Sequence, residues 1–222
     1  MTSFALKPGV SFCETAGRIL FLDIVANRYF GLSLDAESSF RRLAAAEPLD
    51  TADAIRLRAM AQSGLLAAAD ADLRPRACPP QPKPFHSLVD RQEHPRAGAV
   101  AGALARLTAS SLALRARPLA AVLARLERRK SVASRAPGDA ESVMGEVAAA
   151  FRRSMLIASP LDQCLPRSLA AAHRLLDHGV SADLVIGVRL RPFAAHCWVQ
   201  RGPVLVNETI DQVRTFTPIL IV

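Results

Sequence analysis

Six prolines fall within the 22 residues from Arg74 to Pro95: Pro75, Pro79, Pro80, Pro82, Pro84 and Pro95. Each one removes an amide donor and holds φ near one value, so neither a helix nor a central strand can run through the stretch. The chain of 222 residues therefore reads as two folding units either side of a semi-extended spacer. The expected boundaries are 1–73, a linker at 74–97, and 98–222. Half the residues are hydrophobic but only 5% are aromatic, and 40 are alanine. That composition supports aliphatic, largely helical cores and excludes a disordered chain or a disulfide-stapled miniature.

The first unit begins with strands. Arg18–Val25 reads as a β-strand, Ala26-Asn27-Arg28 as a turn with Asn27 suited to positive φ, and Tyr29–Leu32 as the return strand. A helix is expected from Asp35 to about Ala46. Another follows from Asp50 or Thr51 to Gln62, closed by Gly64. This compact strand-and-helix order is similar to a winged helix. In the second unit, helical spacing predicts helices over Ala99–Ala109, Pro118–Arg128 and Ala140 to about Ser154. One more is announced by Pro160 and Asp162 and runs to Leu176. Past Gly179 the period changes from 3.6 to 2. Ala182–Val188, His196–Gln200, Pro203–Asn207 and Ile219–Val222 then read as strands. The fold class is α+β, with a small winged-helix-like module joined to a domain of helices plus antiparallel sheet.

The formal net charge of +8 admits nucleic acid, an anionic membrane surface or an acidic peptide, and does not choose among them. Helix Asp50–Gln62 has only Arg56 and Arg58 as basic residues and also carries Asp53. That is few donors for a DNA recognition helix, so no nucleic-acid partner is expected. The most apolar run, Ala97–Ala105, ends at Arg106, short of the ~18 residues of a membrane span. No signal-peptide pattern opens the chain. Four cysteines without a C-x-x-C pair read as free thiols in a reducing cytoplasm. The histidines do not stand at ligand spacing from them, so neither a metal nor a cofactor is expected.

One cysteine carries chemistry. Cys164 falls in the first turn of its expected helix, where unpaired N–H groups and the positive end of the helix dipole lower a thiol's pKa and can hold an oxyanion. His196 opens a strand 32 residues later. Glu208 follows the Arg201-Gly202 turn at nearly the same distance that His196 precedes it, so the two are expected side by side on neighbouring strands. Nucleophile, base and orienting acid then stand in the order of a Cys-His-acid acyl-transfer site. Asp211, three residues further on, remains the alternative acid. Trp198 shares the His196 face, and Cys197 points the other way as a small buried hydrophobe. Arg167 lies one helical turn from Cys164. His173 and His178 stand five apart, which is poor spacing for a shared metal.

Cys164-Leu165-Pro166-Arg167-Ser168-Leu169, then Val185-Ile186-Gly187-Val188, Pro192-Phe193 and His196-Cys197-Trp198-Val199, together resemble the maturation proteases (B proteins) of lasso-peptide gene clusters. These are transglutaminase-like cysteine proteases, and the likeness covers about residues 98–222. Leu22-Asp23 and Arg28-Tyr29-Phe30-Gly31-Leu32 are similar to the PqqD-like leader-recognition element that such proteins carry. The resemblance implies a peptidase that takes the leader off a ribosomally made precursor and frees the core peptide's N-terminal amine. A partner cyclase resembling asparagine synthetase would then close that amine into a macrolactam. By position Cys164 is the nucleophile, His196 the base and Glu208 the acid, where the family usually has Asp. The leader would add as a strand along Tyr29, Phe30, Gly31 and Leu32, against Ile55 of the second helix. The rival readings are a catalytically idle scaffold for the cyclase, an acyl-transferring transglutaminase, and a DNA-binding regulator.

Overall fold

The computed structural model describes residues 3–69, 73–91, 94–132, 139–155 and 164–222. The chain divides into two compact units, Met1–Pro79 and Pro80–Val222.

In the first unit, strands β2 (Val10–Thr15), β3 (Arg18–Asp23) and β4 (Arg28–Gly31) form an antiparallel meander in that spatial order, which leaves β4 an edge. Strand β1 (Ser3–Leu6) pairs with β5 (Leu66–Ala69) across helices α1 (Leu34–Ala45) and α2 (Thr51–Gln62). The β3–β4 turn is set locally. The Asp23 carboxylate accepts from the N–H groups of Val25 and Ala26, at 3.0 and 2.9 Å, and Asn27 takes φ 50°. A short polar side chain tolerates that left-handed conformation better than a branched one. Helix α2 starts on a reciprocal cap. Asp50 accepts from the N–H of Asp53 while the Asp53 carboxylate accepts from that of Asp50, a device worth about 1 kcal/mol. Phe12, Phe21, Phe40 and Leu57 pack between sheet and helices, with Phe40 edge-on to both Phe12 and Phe21 at 5.0 Å. The buried Glu37 carboxylate ties α1 to β3 through the Ile19 N–H and the Arg18 guanidinium.

The second unit has a five-stranded sheet in the order β10-β7-β8-β9-β6, formed by β7 (Asp183–Leu190), β8 (Phe193–Arg201), β9 (Val204–Leu205), β10 (Thr217–Ile221) and β6 (His86–Ser87). Its helices are α3 (Ala97–Ala116), α4 (Leu119–Val132), α5 (Ala140–Ser154), α6 (Cys164–Asp177) and the short α7 (Ile210–Val213). Asp139 caps α5. Pro160 and Asp162, expected to open α6, lie outside the described residues. On one face of the sheet, Val185, Trp198, Leu205, Val213 and Phe216 make a small core. Helices α5 and α6 bury Phe151, Leu169 and Leu175.

Three expectations change. His86 and Ser87, inside the stretch read as a spacer, form β6 and pair parallel with β9. The backbone there is consumed by the sheet, because the Phe85 and Leu88 N–H groups also donate to carbonyls of Pro203 and Leu205. Second, α3 continues through Arg106 to Ala116. Its 20 residues, with a mean hydropathy of 1.4 over the most apolar window, are long and apolar enough to cross a membrane by length and composition. Arg106 does not end it, since the guanidinium is taken up by Asp177 of α6 at 2.7 Å. Third, the strand expected over Pro203–Asn207 shortens to Val204–Leu205, because the Asn207 side chain leaves the ladder for another task.

Candidate active site

That task is a clamp. The Asn207 amide oxygen accepts from the Val199 N–H at 2.7 Å, and its amide nitrogen donates to the Ser168 hydroxyl at 2.9 Å. The Ser168 hydroxyl in turn donates to the Cys197 carbonyl at 2.9 Å. All three links are buried. They tie the first turns of α6, the middle of β8 and the segment after β9. Cys164 lies four residues before Ser168, His196 adjoins Cys197, and Glu208 follows Asn207. One small polar network therefore holds the backbone beneath each of the three candidate residues.

The side chains meet above it. His196 Nε2 lies 2.7 Å from Glu208 Oε2, and both side chains are 13% exposed. The other Glu208 oxygen accepts from the Thr209 N–H at 3.0 Å. Arg167 donates to Oε2 at 3.2 Å, so its place near Cys164 serves the carboxylate. The Cys164 sulfur lies near enough to the Cys197 thiol, the His196 imidazole and the Cys197 backbone N–H for each to favour its thiolate. With Nε2 occupied by the carboxylate, Nδ1 is the ring nitrogen left for the sulfur. Asp211 takes no part. Its carboxylate is 94% exposed and, among the described residues, pairs only with Arg214.

These contacts set the charges. The Cys197 thiol, the His196 imidazole and the Cys197 N–H outweigh the cost of burial and bring the Cys164 pKa down to about 4. Burial opposes a charge on His196, but the attraction of the nearby Cys164 and the hydrogen bond to Glu208 prevail and raise its pKa to about 9. Burial likewise opposes ionisation of Glu208. The His196 hydrogen bond, the Thr209 N–H and the nearby Arg167 still lower its pKa. Between those limits the pair stands as thiolate and imidazolium, oriented by a carboxylate, at a helix start, a place where backbone N–H groups can hold an oxyanion. These are the parts that nucleophilic acyl transfer requires.

The aromatic surroundings keep the imidazole in place. Its ring lies 5.3 Å from the Phe216 ring and 6.4 Å from that of Trp198. Trp198 is buried and donates its indole N–H to Gln200. Gly187, paired with His196 across β7 and β8, makes room for it. A Cβ there would sit 2.6 Å from the Trp198 ring. Cys197 corrects its expectation. It is buried as expected, yet it is not inert: the nearby Cys164 thiolate and burial together raise its pKa. Sequence reasoning also missed Ser168, Asn207 and Gly187. A Ser on the buried face of an apolar helix was the visible signal for the first.

A model of the transglutaminase-like superfamily matches residues 104–221, more than half of the chain. The chain belongs to the transglutaminase-like superfamily. No curated protein and no solved structure matches it. The matched residues include Cys164, His196 and Glu208, so the superfamily domain contains the whole side-chain cluster. Among the described residues no group of three His, Cys, Asp or Glu is placed to hold a metal ion.

The charge assignment has a direct chemical consequence. Iodoacetamide at pH 6 is expected to label Cys164 and leave Cys13 and Cys78 untouched, since burial raises those thiols to about 12 and 11. The thiolate is the reacting form. The labelling rate should therefore fall as pH drops through about 4 and stay nearly level from pH 6 to 8. A rate that climbs tenfold per pH unit across that range, as for an ordinary thiol, contradicts the ion pair.

Of the residues expected to hold a leader, Phe30 and Leu32 line a hollow of about 440 Å³ together with Val10, Gly64 and Leu65. Phe30 stacks on the core ring of Phe21 at 5.2 Å. Tyr29 is half-buried and Gly31 exposed. Ile55 is 62% exposed on α2 and is not in the lining of that hollow. It stands at the fifth helical position of α2, whose buried side carries Asp53, Leu57 and Met60.

Proposed function

We propose that this chain is a cysteine peptidase that removes the leader from a ribosomally made lasso-peptide precursor. The observation that carries the proposal is the Cys164–His196–Glu208 cluster, with a depressed thiol pKa inside a transglutaminase-like domain. The Cys164 thiolate attacks the scissile carbonyl, and N–H groups at the start of α6 hold the oxyanion. The His196 imidazolium hands its proton to the departing amine, which becomes the core peptide's new N-terminus. Neutral His196 then takes a proton from water, the hydroxide attacks the thioester, and the leader leaves with a free carboxylate. Glu208 orients the imidazole and stabilises its charge. The freed amine is the nucleophile that an asparagine-synthetase-like cyclase would join to a side-chain carboxylate.

The first unit supports a recognition role as a PqqD-like, winged-helix-like element. Strand β4 lies at the edge of its meander, and an edge offers unpaired N–H and C=O groups to an incoming extended peptide. The test is a titration of labelled leader peptide against the full chain and its Tyr29→Asp and Ile55→Asp variants. Each charge is expected to weaken binding by roughly tenfold, about 1.4 kcal/mol, while iodoacetamide labelling of Cys164 stays unchanged. Because Ile55 is exposed, the aspartate does not breach the core. Unchanged leader affinity in both variants rejects β4 and α2 as the binding place. With intact precursor, mass spectrometry distinguishes the chemistry. Peptide hydrolysis adds water, transglutamination adds an amine, and an idle scaffold changes no mass.

A further inference from the structure

We infer that a cavity between α3, α4 and α6 is a binding site for a small phosphate-type oxyanion, separate from the Cys164 cluster. The cavity measures about 110 Å³, the room of roughly three or four water molecules. That admits one tetrahedral anion and no peptide. Arg106 and Arg117 from α3 and its end, and Arg125 and Arg129 from α4, stand around it with Ser110 and His173.

Two features suit this cavity to an anion. The first is the charge balance. Among the described residues, four guanidinium groups face one carboxylate, Asp177, which already holds Arg106 at 2.7 Å and Arg129 at 2.8 Å. The guanidinium groups of Arg117 and Arg125, both exposed, have no side-chain hydrogen bond or ion pair among the described residues, so two forked cations are left for a ligand. Guanidinium forks match the geometry of phosphate oxygens. The second is Ser110. It is 4% exposed and lines the cavity, yet its side chain has no hydrogen-bond partner among the described residues. Its hydroxyl opens onto the cavity and can donate to a ligand oxygen there.

His173 registers the same field. Its Nδ1 lies 2.9 Å from the Arg129 guanidinium. The groups that face it are Arg129 and Arg125 from α4, Arg106 from α3, and Asp177 from its own helix. Burial and the three cations hold its pKa down to about 4, against the opposing pull of Asp177. It is therefore neutral, with Nε2–H available as a donor. The cavity sits on the shaft of α6, nine residues past Cys164, roughly 13 Å along the axis. An anion there does not touch the thiol.

The test uses the full chain and inorganic phosphate as probe, with chloride balancing ionic strength, read by titration calorimetry and by the NMR shift of the His173 ring. Saturable binding of one phosphate per chain is expected, and the His173 pKa should rise when phosphate is bound, because the anion offsets the cations. The double variant R117Q/R125Q should bind at least about tenfold more weakly, since it removes both unpaired charged hydrogen-bond donors. R115Q, on an exposed α3 residue outside the cavity, should bind as the parent does. Pyrophosphate serves as a second arm. Tighter binding than orthophosphate points to the phosphoryl end of a larger molecule, and equal or weaker binding points to free phosphate; either supports the site. Absence of saturation, or equal loss in R115Q and R117Q/R125Q, overturns it.

Discussion

Cys164→Ala is expected to stop the proposed leader release, with a loss of about 10⁴-fold or more, the scale seen when a covalent nucleophile is deleted. The variant removes one sulfur from a half-buried position at the start of α6. The clamp of Ser168, Asn207 and the β8 backbone does not involve that sulfur, so the fold is expected to stand. Leader affinity should match the parent, because β4 belongs to the other unit. His196→Ala should lose as much, since neither the thiolate nor the leaving amine then has a proton partner. Released leader, quantified by mass spectrometry over a time course, is the measurement. Cleavage by Cys164→Ala within tenfold of the parent removes the sulfur from the mechanism altogether.

Glu208→Gln should cost roughly 10²- to 10⁴-fold in kcat/KM, the range expected when the carboxylate orienting a catalytic histidine becomes an amide. Glutamine keeps the shape and loses the charge. The imidazolium then lacks its partner at 2.7 Å, so the His196 pKa falls from about 9 towards its ordinary value. The sign follows from the lost attraction, which had favoured the protonated ring. The alkaline limb of the pH–rate profile should accordingly move to lower pH. Asp211→Asn is the matched comparison. Its carboxylate is almost fully exposed and pairs with Arg214, so activity should stay within about twofold, as for surface changes generally. The reverse order of effects would transfer the orienting role to Asp211.

Much of this site could be read along the chain because the signals are local. A helix beginning at a cysteine, a change of period after Gly179 and a Gly-containing turn between His196 and Glu208 are all short-range features. They were enough to expect Cys164, His196 and Glu208 near one another, and the structure brings these three together. The helix Ala140–Ser154 and the Asp50 cap of α2 are equally local, since capping and periodicity are set within a few residues.

Tertiary structure decided whatever depends on partners far apart in sequence. The pairing of β6 with β9 joins residues more than a hundred positions apart, and no periodicity announces it. The proline-dense spacer hid it, because a two-residue strand leaves no pattern. The same holds for the Cys197 thiol. Alternation along β8 correctly turned it away from His196, but could not say that the start of α6 would lie there. Asn207 and Ser168 look like ordinary polar residues until the fold links a buried carbonyl, a hydroxyl and an amide in a chain of hydrogen bonds, each under 3 Å. Sequence determined which residues could do the chemistry, through their types and local conformations. Packing of α6 against β8 determined their charges, because pKa values answer to neighbours within a few ångströms, whichever part of the chain supplies them.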